Sequence, residues 1–163
     1  MDMKRDFQMT QDELKQILNY NPITGIFTWI KTNKEASSGK CAWGYKRLKI
    51  AGKTLKQHRL AWLYMTGHFP EEYIDHINGI KTDNRFCNLR EATNTQNQHN
   101  RIKPSSNSSH NLIGITWNKE VSKWCARISV DRKRIHLGYF DDKEIAHQVY
   151  LNAKRKYHTF AVF

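Results

Sequence analysis

Four polar residues in the middle of the chain have the types and spacing to do chemistry. Asp75 and His76 are adjacent, Asn88 follows His76 by twelve residues, and Asn97 follows by nine more. Hydrolysis of a phosphodiester needs a deprotonated water, stabilised charge on phosphorus and help for the departing 3′ oxygen. A neutral imidazole suits the first task, because its pKa lets it accept a proton near pH 7. A hard divalent cation suits the other two, and hard cations take oxygen ligands. Asp75 offers a carboxylate and Asn97 an amide carbonyl. Two protein oxygens leave the rest of a magnesium shell to water and phosphate. Asn88 fits a different part: an amide that bonds backbone across a loop and holds His76 in place. In a regular strand Asp75 and His76 would point to opposite faces. They can share a site only if the strand ends or twists beside Asn78-Gly79.

The elements that must position these residues are legible in outline. Residues 10–19 read as a short helix capped by Thr10 with Glu13, its stripe made by Leu14, Ile17 and Leu18. Tyr20 to Trp29 reads as a turn and a strand, and residues 31–40 as a loop. Tyr45–Ile50 and Thr54-Leu55 flank Ala51-Gly52-Lys53 and give a hairpin with a cationic face. A helix starts near His58 and stops near Gly67. Glu71–Ile77 is a short strand, Asn78-Gly79 a turn, and Asn88–Ala92 a second strand. Thr93 with Gln96 is a capping box that starts a helix carrying Asn97. Residues 103–111 form a polar linker. Three strands follow, Gly114–Trp117, Trp124–Val130 and Arg134–Phe140. An amphipathic helix over 142–156 comes next, with Ile145, Ala146, Val149, Tyr150 and Ala153 on one face. The open sheet face would carry Arg127, Ser129, Arg132, Arg134 and His136. An apolar tail, Phe160–Phe163, ends the chain.

The fold class is therefore α+β. A β-rich lead-in (1–57) precedes a strand–loop–strand–helix core (58–102). After the linker comes a separate three-stranded antiparallel sheet packed on one helix (112–163).

Composition points to a polyanionic partner. The 163 residues carry net charge +12, with a pI near 9.7. Residues 1–100 hold fifteen Lys/Arg against ten Asp/Glu, and residues 101–163 twelve against five, so the charge is spread along the chain. Lys46, Arg47, Lys49, Lys53 and Lys56 are placed to track phosphates beside the catalytic segment, and His58 and Arg59 at a helix start could do the same, with packing or capping the equal alternative. No apolar run is long enough for a bilayer, so no membrane partner is expected. The three cysteines are odd in number and far apart, which reads as free buried thiols in a reducing compartment.

The segments His58-Arg59-Leu60-Ala61-Trp62, Ile74-Asp75-His76-Ile77-Asn78-Gly79, Asp83-Asn84-Arg85, Asn88-Leu89-Arg90 and Asn97-x-x-Asn100 resemble the HNH endonucleases of the phage and intron homing type. The Tyr20…Gly25…Phe27-Thr28-Trp29 segment resembles their usual lead-in. The resemblance implies a ββα-metal core that cuts double-stranded DNA with a divalent cation, magnesium or else manganese. His76 would activate water, Asn88 would be structural, and Asp75 and Asn97 would bind the metal. Where the family name has a final His this chain has Asn97, with His99 and Asn100 as neighbouring alternatives. A monomer in the cytoplasm of a bacterial host is the matching expectation.

Gly114-Ile115-x-Trp117, Lys123-Trp124-x-Ala126, His136–Phe140 and Ala146…Tyr150…Ala153 resemble the Apetala-two/ethylene-response-factor DNA-binding domain. That resemblance implies a sheet laid in the major groove. Thr116, Asn118, Arg127, Ser129, Arg134 and His136 fall at its contact positions, while Trp124 and Leu137 belong to its core. Several residues depart from the plant pattern, so the plant target sequence does not transfer. The rival expectations are a DNA-binding regulator on an inactive nuclease fold and an RNA-directed protein.

Overall fold

The computed structural model describes residues 9–100, 111–131 and 133–161. The expected linker lies almost wholly outside those residues, as do Arg132 and the last two residues of the apolar tail. The chain divides into two compact units at Asn97/Gln98.

The N-terminal unit opens with α1 (Gln11–Ile17), whose capping box closes between Thr10 and Glu13. The helix stops two residues short of the expected Asn19. Leu18 is already extended and begins β1 (Leu18–Asn21), which pairs antiparallel with β2 (Ile26–Trp29). Pairing explains the change: the strand buries Leu18 and Tyr20 on one face and exposes Asn19 and Asn21 on the other. Tertiary burial outweighs a weak helix propensity here. The basic hairpin forms from β3 (Arg47–Ile50) and β4 (Lys53–Lys56), turned through Ala51 and Gly52 at φ 45 and 79°. α2 (Gln57–Thr66) ends at Gly67 in the left-handed region.

β5 (Tyr73–His76) and β6 (Leu89–Ala92) make the central antiparallel pair, with a 3₁₀ turn at Phe86–Asn88 leading into β6. α3 (Asn94–His99) follows at once, under the expected Thr93–Gln96 capping box. One apolar cluster runs through these elements other than α3, from Leu14, Leu18 and Phe27 through Leu48, Leu60 and Leu63 to Ile74 and Leu89. The lead-in and the segment from β5 to β6 thus share a core. Tyr20 donates from its hydroxyl to the carbonyl of Asn84, and Phe86 N–H bonds the carbonyl of Pro22.

The C-terminal unit is a sheet of order β7 (Ile115–Asn118), β8 (Lys123–Val130), β9 (Lys133–Phe140), backed by α4 (Lys143–Tyr157). Asp142 caps α4 by accepting from Ile145 N–H. Ala146 and Ala153 are buried and Val149 and Tyr150 half-buried, but Ile145 is 57% exposed. Ile145 therefore leaves the expected apolar face. A three-stranded sheet covers only a narrow stripe, and Ile145 lies one residue, about 100°, from Ala146. The thiols also differ from expectation: Cys125 alone is buried, Cys41 is half-buried and Cys87 exposed.

Candidate catalytic and nucleic-acid-binding site

The β5–β6 pair settles how Asp75 and His76 are presented. Asp75 stands opposite Arg90 and His76 opposite Leu89. Side chains of paired residues share a face. Arg90 accordingly donates from Nε and Nη2 to Asp75 Oδ2 at 3.0 and 2.9 Å. His76 points the other way and is the last residue of the strand, where the chain turns through Asn78 and Gly79.

That turn is held by amides. Asn88 accepts from Asn78 N–H at 3.0 Å and donates from Nδ2 to Asn78 Oδ1 and to the Asp83 carbonyl. Asn78 donates in turn to Asp83 Oδ2 at 2.7 Å. Arg85 grips Asp83 and pulls its carboxyl down to about 2, so the clamp stays ionised at neutral pH. Asn88 thus spends its side chain on the loop that places His76.

The His76 ring is buried. Its Nε2 meets Asn84 Oδ1 at 3.1 Å, and its edge lies against the His58 ring, with centroids 5.1 Å apart. Tyr45 closes over both rings and itself carries the ammonium groups of Lys56 and Lys81 about its face. Burial pushes His76 below the usual imidazole range, and pushes His58 well below it. Both rings are neutral at pH 7, and a neutral ring is what a general base requires.

Asn97 is half-buried on α3 and belongs to the same compact unit as Asp75. Among the described residues no hydrogen bond joins the two side chains. Of the neighbouring alternatives, His99 stacks flat on His158 at 3.7 Å and Asn100 is buried, both within the C-terminal unit. His58 is 4% exposed, so it cannot face phosphate as its place at a helix start suggested. Its Nδ1 has no hydrogen-bond partner among the described residues. Arg59 donates to the carbonyls of Glu72 and Pro70 and lies over the Phe69 ring. Arg47 bonds the carbonyl of Lys40, and Lys46 reaches Glu35 at 4.0 Å.

In the C-terminal unit, register decides which side chains share the open face. Thr116 pairs with Cys125 and Asn118 with Lys123; Arg127 pairs with His136 and Ser129 with Arg134. Alternation puts Thr116, Asn118, Arg127, Ser129, Arg134 and His136 together, opposite the face carrying Trp124 and Ala126. An irregularity at Ala126/Arg127 brings Tyr139 onto the open face as well. Beneath them Cys125 Sγ accepts from Arg127 Nε at 3.0 Å, and Asn118 donates to the Tyr139 hydroxyl. Cys125 and Tyr139 went unmarked in the sequence, though strand alternation from Arg127 would have found Cys125. Gln57 and Tyr45 were also missed, and Asn84 and Arg90 were given no role of their own although both lie in the segments that carry the resemblance; Arg90 also falls opposite Asp75 once the hairpin register is drawn.

Protein 3.8 of Escherichia phage T7 is 30% identical over 119 residues, covering 72% of this chain and 98% of its own. The chain belongs to the family of T7 protein 3.8. Residues 56–99 match the HNH endonuclease family, so this protein 3.8 relative carries an HNH domain running from the last residue of β4 to the end of α3. A solved structure of DNA binding and cleavage by the HNH homing endonuclease I-HmuI is also similar. It is 29% identical and covers 52% of this chain and 51% of its own, with a TM-score of 0.44. The similarity thus spans about half the length of that protein. Among the described residues no helix is long and apolar enough to cross a membrane.

Proposed function

We propose that this protein is a metal-dependent endonuclease of double-stranded DNA. The observation that carries the reading is the HNH domain match over residues 56–99, which spans Asp75, His76, Asn88 and Asn97. His76 accepts the proton of the attacking water, as its neutral ring allows. Asn88 fixes the turn that presents it. Asp75 and Asn97 would hold the cation; a carboxylate and an amide carbonyl are the hard oxygen donors that magnesium takes, with water and phosphate completing the shell. When bound, it would supply positive charge to the phosphorus oxygens and to the leaving 3′ oxygen. The products are a 5′ phosphate and a 3′ hydroxyl. The open face of the C-terminal sheet, with Arg127, Arg134 and His136, supplies recognition, and Lys46, Arg47 and Arg59 lie in the unit that holds the scissile strand. The protein would act as a monomer on DNA in the cytoplasm of a phage-infected bacterium.

The test is cleavage of a randomised duplex library with magnesium, with products mapped on each strand and chelator as control. His76→Ala should abolish product and leave DNA affinity near wild type. A second reading has its own support: Arg90 engages the carboxylate that a cation would need. That arrangement suits a DNA-binding regulator on an inactive nuclease fold. It predicts full DNA affinity and no cut strand with magnesium, manganese or any other divalent ion.

A further inference from the structure

A singly protonated imidazole can act as base only through the nitrogen that lacks the proton, so something must choose between the two. The choice can be followed outward from main-chain groups whose roles are fixed. Gln57, 2% exposed, donates from Nε2 to the carbonyl of Ala36 at 2.9 Å and to that of Arg47 at 3.3 Å. Carbonyls only accept, so the NH₂ end of Gln57 faces them. Its Oε1 then faces Asn84 and accepts from Nδ2 at 3.4 Å. Asn84 is 1% exposed, so its amide has no solvent to turn toward. Its Oδ1 is left facing His76, and an amide oxygen again only accepts. The proton on His76 therefore sits on Nε2, donated at 3.1 Å.

We infer that Gln57 and Asn84 are positioning residues: a buried amide relay, anchored on the Ala36 and Arg47 carbonyls, that holds His76 in its Nε2–H tautomer and so makes Nδ1 the nitrogen that accepts a proton from water. The frame around the relay is fixed at both ends. Gln57 N–H bonds the carbonyl of Lys46 at 3.0 Å, and the Asn84 carbonyl accepts from the Tyr20 hydroxyl at 2.6 Å. Neither residue touches the reacting atoms. The relay explains why polar side chains stand in the apolar core between α2 and the loop before β6, where each would be costly without its partner.

The assignment of Nδ1 as a catalytic base rests on the nuclease reading, whereas the tautomer does not, and the test separates the two. Long-range proton–nitrogen NMR on the full chain labelled with ¹⁵N-histidine distinguishes the tautomers of each ring, with His76 assigned by its loss in His76→Ala. Wild type should carry the proton on Nε2. Asn84→Asp keeps an acceptor toward His76, and should keep that tautomer. Gln57→Met keeps the volume of the side chain but lets the Asn84 amide turn. It should give a mixture of tautomers and lower kcat, with KM for DNA unchanged and the protein folded by thermal melt. The loss is bounded by what a general base contributes, about 10²–10⁴-fold. A wild-type His76 protonated on Nδ1 overturns the relay, even if Gln57→Met does not fold. So does a folded Gln57→Met with wild-type tautomer and kcat. A wild-type Nε2–H ring in a protein that cuts no DNA would leave the relay standing and remove the nuclease.

Discussion

A carboxylate as buried as Asp75 needs a positive partner, and Arg90 provides one at 2.9 Å. Under the proposed function the same carboxylate must also serve a cation, so arginine and metal compete. Arg90→Gln should therefore cost about 1–3 kcal/mol of stability without metal, below the roughly 3–5 kcal/mol of a fully buried pair because Arg90 is partly exposed. Magnesium should then raise the melting temperature of the variant more than that of wild type. Equal shifts in both would mean that Arg90 and the ion do not share Asp75. His58 gives a second prediction. Its folded pKa lies well below the ordinary 6.5, through burial first and then the like charges of His76, Lys56 and Arg59 around it, with Tyr45 packed on its ring. The unfolded chain binds a proton that the folded one refuses, so stability is complete above pH 6.5 and falls as the pH drops below it. One such group contributes up to about 1.4 kcal/mol per pH unit. Urea midpoints measured from pH 7 to 5 should fall less steeply for His58→Gln than for wild type. At this scale the sequence was half legible. The order of Asp75, His76, Asn88 and Asn97 marks a chemistry by residue type alone. His58, between Lys56 and Arg59 at a helix start, fits phosphate contact and packing or capping equally from the sequence; the packing of Tyr45 and His76 against it decides for the core.

At the scale of elements, the lead-in matters because it carries the loop that carries Asn84. Gly25, in the β1–β2 turn at φ 70°, approaches that loop so closely that a Cβ would stand 2.4 Å from Arg85 N and 2.5 Å from the Asn84 carbonyl carbon. Gly25→Ala must strain its own backbone and displace the Asn84 main chain. The expected cost is about 2–5 kcal/mol, summing left-handed strain and overpacking. Cleavage should fall more than the loss of folded protein accounts for, because the Asn84 side chain moves with its backbone. Activity per folded molecule, measured at a temperature where the variant is still folded, checks this. Sequence patterning found nearly every strand and helix, since capping boxes at Thr10 and Thr93, the turn at Asn78-Gly79 and the stop at Gly67 are local signals. It missed β1, whose Leu18 and Tyr20 become a strand only by pairing with Trp29 and Phe27. It also misplaced Ile145, because the width of the apolar stripe on α4 is set by the sheet opposite and not by the helix.

For the whole molecule, the distribution of charge argues for two binding surfaces with separate work. Residues 1–100 carry a net excess of five positive charges and residues 101–163 an excess of seven, so neither part is a neutral passenger. If the C-terminal sheet selects DNA and the HNH unit cuts it, joining them raises the local concentration of the cutting unit at selected sites without any new contact. The two functions should then be separable by substitution. Arg134 is exposed on the open sheet face, opposite Ser129 in the ladder. If it meets a phosphate, Arg134→Ala should weaken binding to all duplexes alike and reduce the slope of log affinity against log salt by about one unit. Cleavage at saturating DNA should be unchanged, since no residue around His76 has moved. His76→Ala should do the reverse, keeping affinity and salt slope while losing product. Filter binding and cleavage on one duplex, from low to high salt, measure both. If each variant loses binding to the same degree, the HNH unit and the sheet do not divide the labour.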